Sequence, residues 1–160
     1  MNKGVDKETF WKRRLDRAKE LGELQCSVFE MSREKWDYLA EIHKTIVRRH
    51  VKPGDKVLDA GCGYGRASEW VDNYVGVDFS PDFIKEAQTL YPDKKFIQAD
   101  LKKLPFKDNE FDLAICVSVK QMIVSNLGEN DWLKMEKELK RVAKKVLELE
   151  YGSLTDWRLL

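Results

Sequence analysis

No run of apolar residues in this 160-residue chain is long enough to span a bilayer, and the opening Met1-Asn2-Lys3-Gly4-Val5-Asp6-Lys7 lacks the apolar stretch of a signal peptide. A cytoplasmic protein with no membrane partner is expected. Neither charge is in excess: 29 lysines and arginines face 28 aspartates and glutamates, a net charge of +1 with the two signs interspersed. With no acidic or basic tail, electrostatics alone implies neither nucleic acid nor a membrane surface. Cysteine is scarce. Cys26, Cys62 and Cys116 are isolated and odd in number, which fits a reducing compartment rather than a disulfide framework. Cys116 sits in an apolar run and Cys62 in a glycine loop that needs a small residue, so both thiols read as packing. His43 and His50 fall on one helix without a partner at ligand spacing, and no metal is expected.

What is present is a regular alternation. The length suits one domain with a single packed core. Phe10, Trp11, Leu15, Ala18 and Leu21 repeat at helical spacing over residues 8–22, and Gly22 ends the pattern. Ser32 is a plausible N-cap for a second helix carrying Trp36, Leu39, Ala40, Ile42, Ile46 and Val47 toward Pro53-Gly54. Strand and helix then alternate: strand 56–60, helix 65–72, strand 74–78, helix 82–90, strand 95–99, strand 111–117, helix 131–144 and strand 145–150. Such alternation predicts an α/β fold, a doubly wound parallel sheet with right-handed crossovers. Residues 1–53 read as a helical segment before a core spanning 54–160.

The chemistry concentrates where these strands end. Val57-Leu58-Asp59-Ala60-Gly61-Cys62-Gly63-Tyr64-Gly65-Arg66 places three glycines at a spacing of two straight after a short apolar run. Glycine there allows a sharp turn and lets a ligand approach the main chain. Asp78 ends Tyr74-Val75-Gly76-Val77-Asp78, 17 residues after Gly61, where a paired strand would set a carboxylate beside a ribose. The following Phe79-Ser80-Pro81-Asp82 has no arginine to receive a 2′-phosphate, which argues against NADP. The nicotinamide fingerprint also differs, since its third glycine comes three residues after the second. Taken singly, Asp59 could be a turn former, Asp78 a helix cap and Asp100 a solvated charge. Their joint appearance at three strand ends points to a nucleoside cofactor.

Asp59-Ala60-Gly61-Cys62-Gly63-Tyr64-Gly65 followed by Gly76-Val77-Asp78-Phe79-Ser80 resembles class I S-adenosylmethionine-dependent methyltransferases. Phe96-Ile97-Gln98-Ala99-Asp100-Leu101 and Leu104–Ser118 continue the resemblance, which covers residues 54–151. It implies a Rossmann-like sheet of order 3-2-1-4-5 and S-adenosylmethionine as cofactor, S-adenosylhomocysteine as product. It implies that Asp59 helps hold the aminoacyl end, that Asp78 binds the ribose, and that Asp100 and Leu101 receive the adenine. Gly61, Cys62, Gly63, Gly65, Phe79 and Ser118 complete the implied cofactor set.

The reaction asks little of the protein beyond holding a nucleophile in line and keeping water out. The region Ser118-Val119-Lys120-Gln121-Met122-Ile123 lacks the Asp/Asn-Pro-Pro-aromatic motif of enzymes that methylate exocyclic amino groups of DNA bases, and the Pro-Cys nucleophile of cytosine C5 enzymes. No DNA partner is expected, and a small-molecule acceptor is. Gln121 and Met122 stand where the small-molecule branch often carries a Glu-His pair, so no catalytic base is evident. Lys120 would serve only if burial depressed its pKa. Tyr64, Ser118, Gln121 and His43 are the other polar groups expected near the pocket.

By resemblance, residues 1–53 form a lid, with Phe10, Trp11, Phe29, Trp36 and Tyr38 as an apolar roof. Lys12, Arg13, Arg14 and Arg17 add a basic stripe, balanced on the same helix by Asp16 and Glu20. If the stripe lines the pocket, a carboxylate or phosphate metabolite is the acceptor. Family members usually continue beyond the fifth strand with a helix and an antiparallel pair. Here the expectation is an open sheet edge that is covered by Leu154, Trp157, Leu159 and Leu160, or that serves a homodimer or partner subunit. A noncatalytic S-adenosylmethionine-binding subunit regulating a partner is the alternative to an enzyme, and an RNA or protein substrate also fits.

Overall fold

The computed structural model describes residues 7–22 and 32–150. Cys26, Phe29, Leu154, Trp157, Leu159 and Leu160 lie outside the described residues. Two compact units are present, Met1–Glu41 and Ile42–Leu160.

In the first unit, helix α1 (Lys7–Leu21) buries Leu15 and Ala18 and leaves Phe10 and Leu21 exposed. Arg14 does not stand in a solvated stripe with Lys12, Arg13 and Arg17. Its guanidinium lies over the Phe10 ring at 4.9 Å and the Trp11 ring at 5.8 Å. Helix α2 (Arg33–His50) starts where the sequence places its cap, with Lys35 N donating to Ser32 Oγ at 3.3 Å. Its opening turns bury Trp36 and Leu39 and expose Tyr38.

The second unit is a five-stranded sheet of order β3-β2-β1-β4-β5, built from β1 (Val57–Ala60), β2 (Tyr74–Asp78), β3 (Lys95–Gln98), β4 (Leu113–Val117) and β5 (Val146–Leu149). All four pairings are parallel, as the alternation predicts. Every residue of β1 and β2 is buried, while β3 and β5 at the edges are partly exposed. That explains why the central strands are mostly apolar, with Asp59 and Asp78 as their buried charged exceptions.

Two apolar layers cover the faces. One joins Ile46 and Val47 of α2 to Ala67, Trp70, Ile84 and Ala87. The other packs Trp132, Met135, Leu139 and Val142 of α5 (Glu129–Val142) on Leu58, Ala60, Ala114 and Cys116. Helix α3 (Pro81–Leu90) begins with Ser80 as N-cap, its Oγ accepting from Phe83 N at 3.4 Å, and Pro81 in the first turn.

Three boundaries depart from the sequence reading. The helix expected over 65–72 is a 3₁₀ helix of five residues, Arg66–Trp70, because Gly65 is left-handed at its start and Val71 is already extended. Phe111 makes only an isolated bridge to Ala143, so β4 begins two residues later. The segment after Ser118, given no element by the sequence pattern, is helix α4 (Lys120–Leu127), separated from α5 by Gly128 at φ 92. It carries no side-chain cap at its N-terminus, and nothing in its composition announces it.

Candidate cofactor site

β1 carries Asp59 and Ala60 to the carboxyl edge of the sheet, and the chain turns at once. Gly61 N and Cys62 N both donate to Val77 O of β2, at 2.8 and 2.9 Å. Gly65 N returns to Cys62 O at 2.9 Å, closing a loop of tightly bonded backbone.

Side-chain space separates the three glycines. A Cβ on Gly61 would stand 2.6 Å from Val119 Cγ2, and one on Gly65 2.7 Å from the Phe96 ring, so neighbouring side chains occupy both places. A Cβ on Gly63 would meet nothing within 4 Å. Its φ of 54° suits glycine, and its open side lets a ligand reach the main chain. That space is what a nucleoside cofactor needs of such a loop.

Asp78 lies beside it. Its Oδ2 accepts from Gly63 N and its Oδ1 from Ser80 N, each at 2.9 Å, so one carboxylate ties the glycine loop to the head of α3. Burial raises its pKa, and the N–H groups of Ser80, Gly63 and Phe79 pull it back. Each oxygen retains a further lone pair for a ribose hydroxyl. The clamp escaped the sequence reading because both donors are backbone groups.

Asp59 is 3% exposed, and its Oδ2 accepts from the Tyr74 hydroxyl at 2.7 Å. Burial lifts its carboxyl to about 6, against the Tyr74 hydrogen bond and the Arg66 charge, while Asp78 adds to the rise. Arg66 follows the loop directly. Its guanidinium lies 5.0 Å from the Trp70 ring, and its Nη2 donates to His43 Nδ1 at 3.3 Å. Burial first, then the Arg66 charge, hold His43 down to about 3, so the imidazole is a neutral acceptor. It supports Arg66 and is no candidate base.

Phe79 is 40% exposed beside Asp78, an apolar face at the place expected for the cofactor. Ala99 N donates to Asp78 O at 3.0 Å, which keeps the end of β3 beside that of β2. Beyond it Asp100 is exposed, its Oδ1 accepting from Lys102 N at 2.9 Å, and Leu101 is buried. Direct hydrogen bonds thus join the glycine loop to Asp78, whereas Asp100 belongs to its own turn.

On the other side of β1, Ser118 ends β4 at φ 61 with its N donating to Leu149 O at 2.6 Å. Its buried hydroxyl has no hydrogen-bond partner among the described residues. A strained residue with an unsatisfied polar atom at the ligand edge of the sheet is the kind of feature that function retains.

The acceptor-side candidates are reordered. Burial pulls on Lys120, but its ion pair with Glu148 at 3.3 Å prevails and the ammonium stands above its ordinary pKa. Its Nζ lies 5.3 Å from the Trp132 ring. Lys120 is therefore a fixed cation rather than a base. Tyr64 is buried, and the Cys62 and Cys116 thiols are buried and raised in pKa, consistent with packing. Glu150, one residue past β5, is the group the sequence reading missed. Both its oxygens are shielded from solvent, and burial raises its pKa against hydrogen bonds from the backbones of Gln121 and Lys120. No local pattern marks it, because those donors come from the unforeseen α4.

Known proteins resemble this chain in sequence and in fold. Residues 58–146 match the model of a family described as a methyltransferase domain. Protein MJ1252 of Methanocaldococcus jannaschii is 37% identical over 78 residues, 49% of this chain and 31% of that protein. Demethylmenaquinone methyltransferase of Paenarthrobacter aurescens is 32% identical over 113 residues, 68% of this chain and 44% of that enzyme. The chain therefore spans less than half the length of these relatives. Among solved structures, protein PH0226 of Pyrococcus horikoshii superposes with a TM-score of 0.61 at 28% identity, covering 70% of this chain and 54% of that one.

Proposed function

The chain belongs to the class I S-adenosylmethionine-dependent methyltransferase family, and from that premise we propose that it binds S-adenosylmethionine at the carboxyl edge of the sheet and transfers its methyl group to a small-molecule acceptor. One observation carries this assignment: Gly63 alone of the loop glycines has open space on its side-chain face, beside the buried Asp78 that holds its N–H.

Asp78 serves the ribose while anchoring the loop, Phe79 and Leu101 offer apolar surface to the adenine, and Asp100 accepts from its amino group. Asp59 faces the ammonium of the aminoacyl end. Gly61, Cys62 and Gly65 hold the loop in shape around Gly63, and the unsatisfied hydroxyl of Ser118 supplies a hydrogen bond from the β4 side. The sulfonium of the bound cofactor supplies an electrophilic methyl group. For the protein the remaining tasks are orientation and the exclusion of water. Where the acceptor must lose a proton, Glu150 is better suited to take it than Lys120, whose charge Glu148 stabilises.

Residues 1–53 enter the proposal as the acceptor-recognition segment on side-chain chemistry alone, from exposed Phe10 and Tyr38 and the cations Lys12, Arg13 and Arg17. A homodimer or partner subunit on the β5 edge belongs to the same proposal. Its support is that β5 pairs only with β4 among the described residues.

Calorimetric titration with S-adenosylmethionine, S-adenosylhomocysteine and NAD tests the central assignment. Binding of the two adenosyl ligands and not of NAD is the expected outcome. Absence of any adenosyl binding would remove the assignment, and light scattering on the same sample decides the subunit proposal.

A further inference from the structure

We propose that Tyr74 is a positioning residue for the cofactor's amino-acid end, holding Asp59 in place and in its charged form through a phenol that passes over Gly76. The inference rests on the cofactor assignment above.

The geometry is built into the parallel register. β2 sets Tyr74 opposite Val57 and Gly76 opposite Asp59. To reach Asp59, the Tyr74 side chain must run forward along its own strand, across the position that residue 76 would fill. A Cβ on Gly76 would lie 2.8 Å from the Tyr74 hydroxyl oxygen, 2.8 Å from Phe96 Cδ1 and 2.9 Å from Cys62 Sγ. Gly76 has no positive φ that would itself call for glycine. The passage of the phenol, with the ring and thiol beside it, accounts for its identity. Phe96 braces the tyrosine edge-on, with ring centroids 5.7 Å apart.

At the end of that path the hydroxyl donates to Asp59 Oδ2 at 2.7 Å, both side chains buried. Oδ1 accepts no hydrogen bond among the described residues, so the phenol is the carboxylate's one neutral donor there. The other ionisable groups around Asp59 are Arg66 from the 3₁₀ helix, Asp78 at the end of β2, the Cys62 thiol and the Cys116 thiol of β4, with His43 of α2 against Arg66.

A donor to a carboxylate favours its ionised form, and burial opposes it. The balance leaves Asp59 at about 6, so near-neutral pH finds it charged with Tyr74 as one of the two groups that keep it so. An ammonium ligand needs the charged form. Affinity for such a ligand falls as pH drops through the Asp59 titration, and without the phenol the fall begins at a higher pH.

The test uses the full chain and its Tyr74→Phe variant, from about pH 5.5 to about pH 8.5. S-adenosylhomocysteine and 5′-methylthioadenosine, which lacks the amino-acid end, are titrated calorimetrically, and the Asp59 carboxyl is followed by carbon NMR without ligand. In the variant, Asp59 is expected to titrate higher. Affinity for S-adenosylhomocysteine should then fall at pH 6 by up to tenfold for each unit of displacement and recover at the alkaline end. Affinity for 5′-methylthioadenosine should stay the same. An unmoved Asp59 titration, or equal weakening of both ligands at every pH, overturns the proposal. Should Tyr74→Phe fail to fold, 3-fluorotyrosine at position 74, a stronger donor of nearly the same shape, must move the Asp59 titration down. If the wild-type chain binds neither ligand, the cofactor assignment fails, while the NMR titration still decides whether Tyr74 controls Asp59.

Discussion

Gly63 and Gly65 stand two residues apart in one loop, both at positive φ, and the space beside each sets them apart. At Gly65 a φ of 88° is joined by the Phe96 ring, 2.7 Å from a would-be Cβ, and Tyr91 at 3.2 Å. At Gly63 the positive φ stands beside open space. Gly65→Ala is therefore expected to lower Tm strongly, since two aromatic side chains of the core must move. Gly63→Ala should cost about 1 kcal/mol of stability from backbone strain yet abolish or sharply weaken S-adenosylhomocysteine binding. Thermal melts and titrations of the two variants check the contrast. Equal loss of stability in both would mean that the space beside Gly63 has no role of its own.

The loop between β3 and β4 leads from Asp100 and Leu101 back into the sheet, and α5 holds it by one arginine. Arg141 Nη1 donates to Phe106 O at 2.9 Å and Asp108 Oδ1 at 2.8 Å, and Nη2 donates to Leu104 O at 3.1 Å. Glu138 grips the same guanidinium at 2.8 and 2.9 Å and accepts from Leu104 N at 2.9 Å. The hydrogen bond from Arg141 holds the Glu138 carboxyl down at about 2. Because the folded pKa lies below the ordinary 4.5, this stabilisation is present above about pH 4.5 and is lost as pH falls toward about 2. Glu138→Gln should lower Tm at neutral pH, and the gap from wild type should close on acidification. A gap that persists at low pH would assign the effect to packing instead of charge.

Over the second unit as a whole, two buried ionisable groups beside Arg66 pull acid stability in opposite directions. His43, lowered to about 3, binds its proton more readily when unfolded, so its contribution is present above about 6.5 and declines as pH falls. Asp59, raised to about 6, binds its proton more readily when folded and gains stability as pH falls from about 6 toward 3.8. Removing the imidazole while keeping an acceptor, as in His43→Gln, should remove the opposition that His43 offers to Asp59. Tm of the variant relative to wild type should rise as pH is lowered from about 6 to about 4, which melts in matched buffers can measure. A constant difference would place the His43 proton elsewhere.

The chain's own order of residues was enough to specify the alternating elements, because period-two and period-3.6 patterns are local. It also marked Asp59, Asp78 and Asp100 at three strand ends, and β2 runs over Tyr74–Asp78 as read. Local pattern was silent on α4, whose N-terminus lacks a capping side chain, and on the shortening of the helix after Gly65 to a 3₁₀ turn. The working hydrogen bonds of the site were beyond it altogether. Gly63 meets Asp78, and Tyr74 meets Asp59, each across 15 residues of sequence. Neither pair exists until β1 and β2 align in parallel, and the same alignment turns an ordinary strand glycine at position 76 into a passage for a phenol. Sequence determined which groups stand at the edge of the sheet. Tertiary structure decided which of them share hydrogen bonds, and therefore which carry charge, because burial and partner distance exist only after the strands pair.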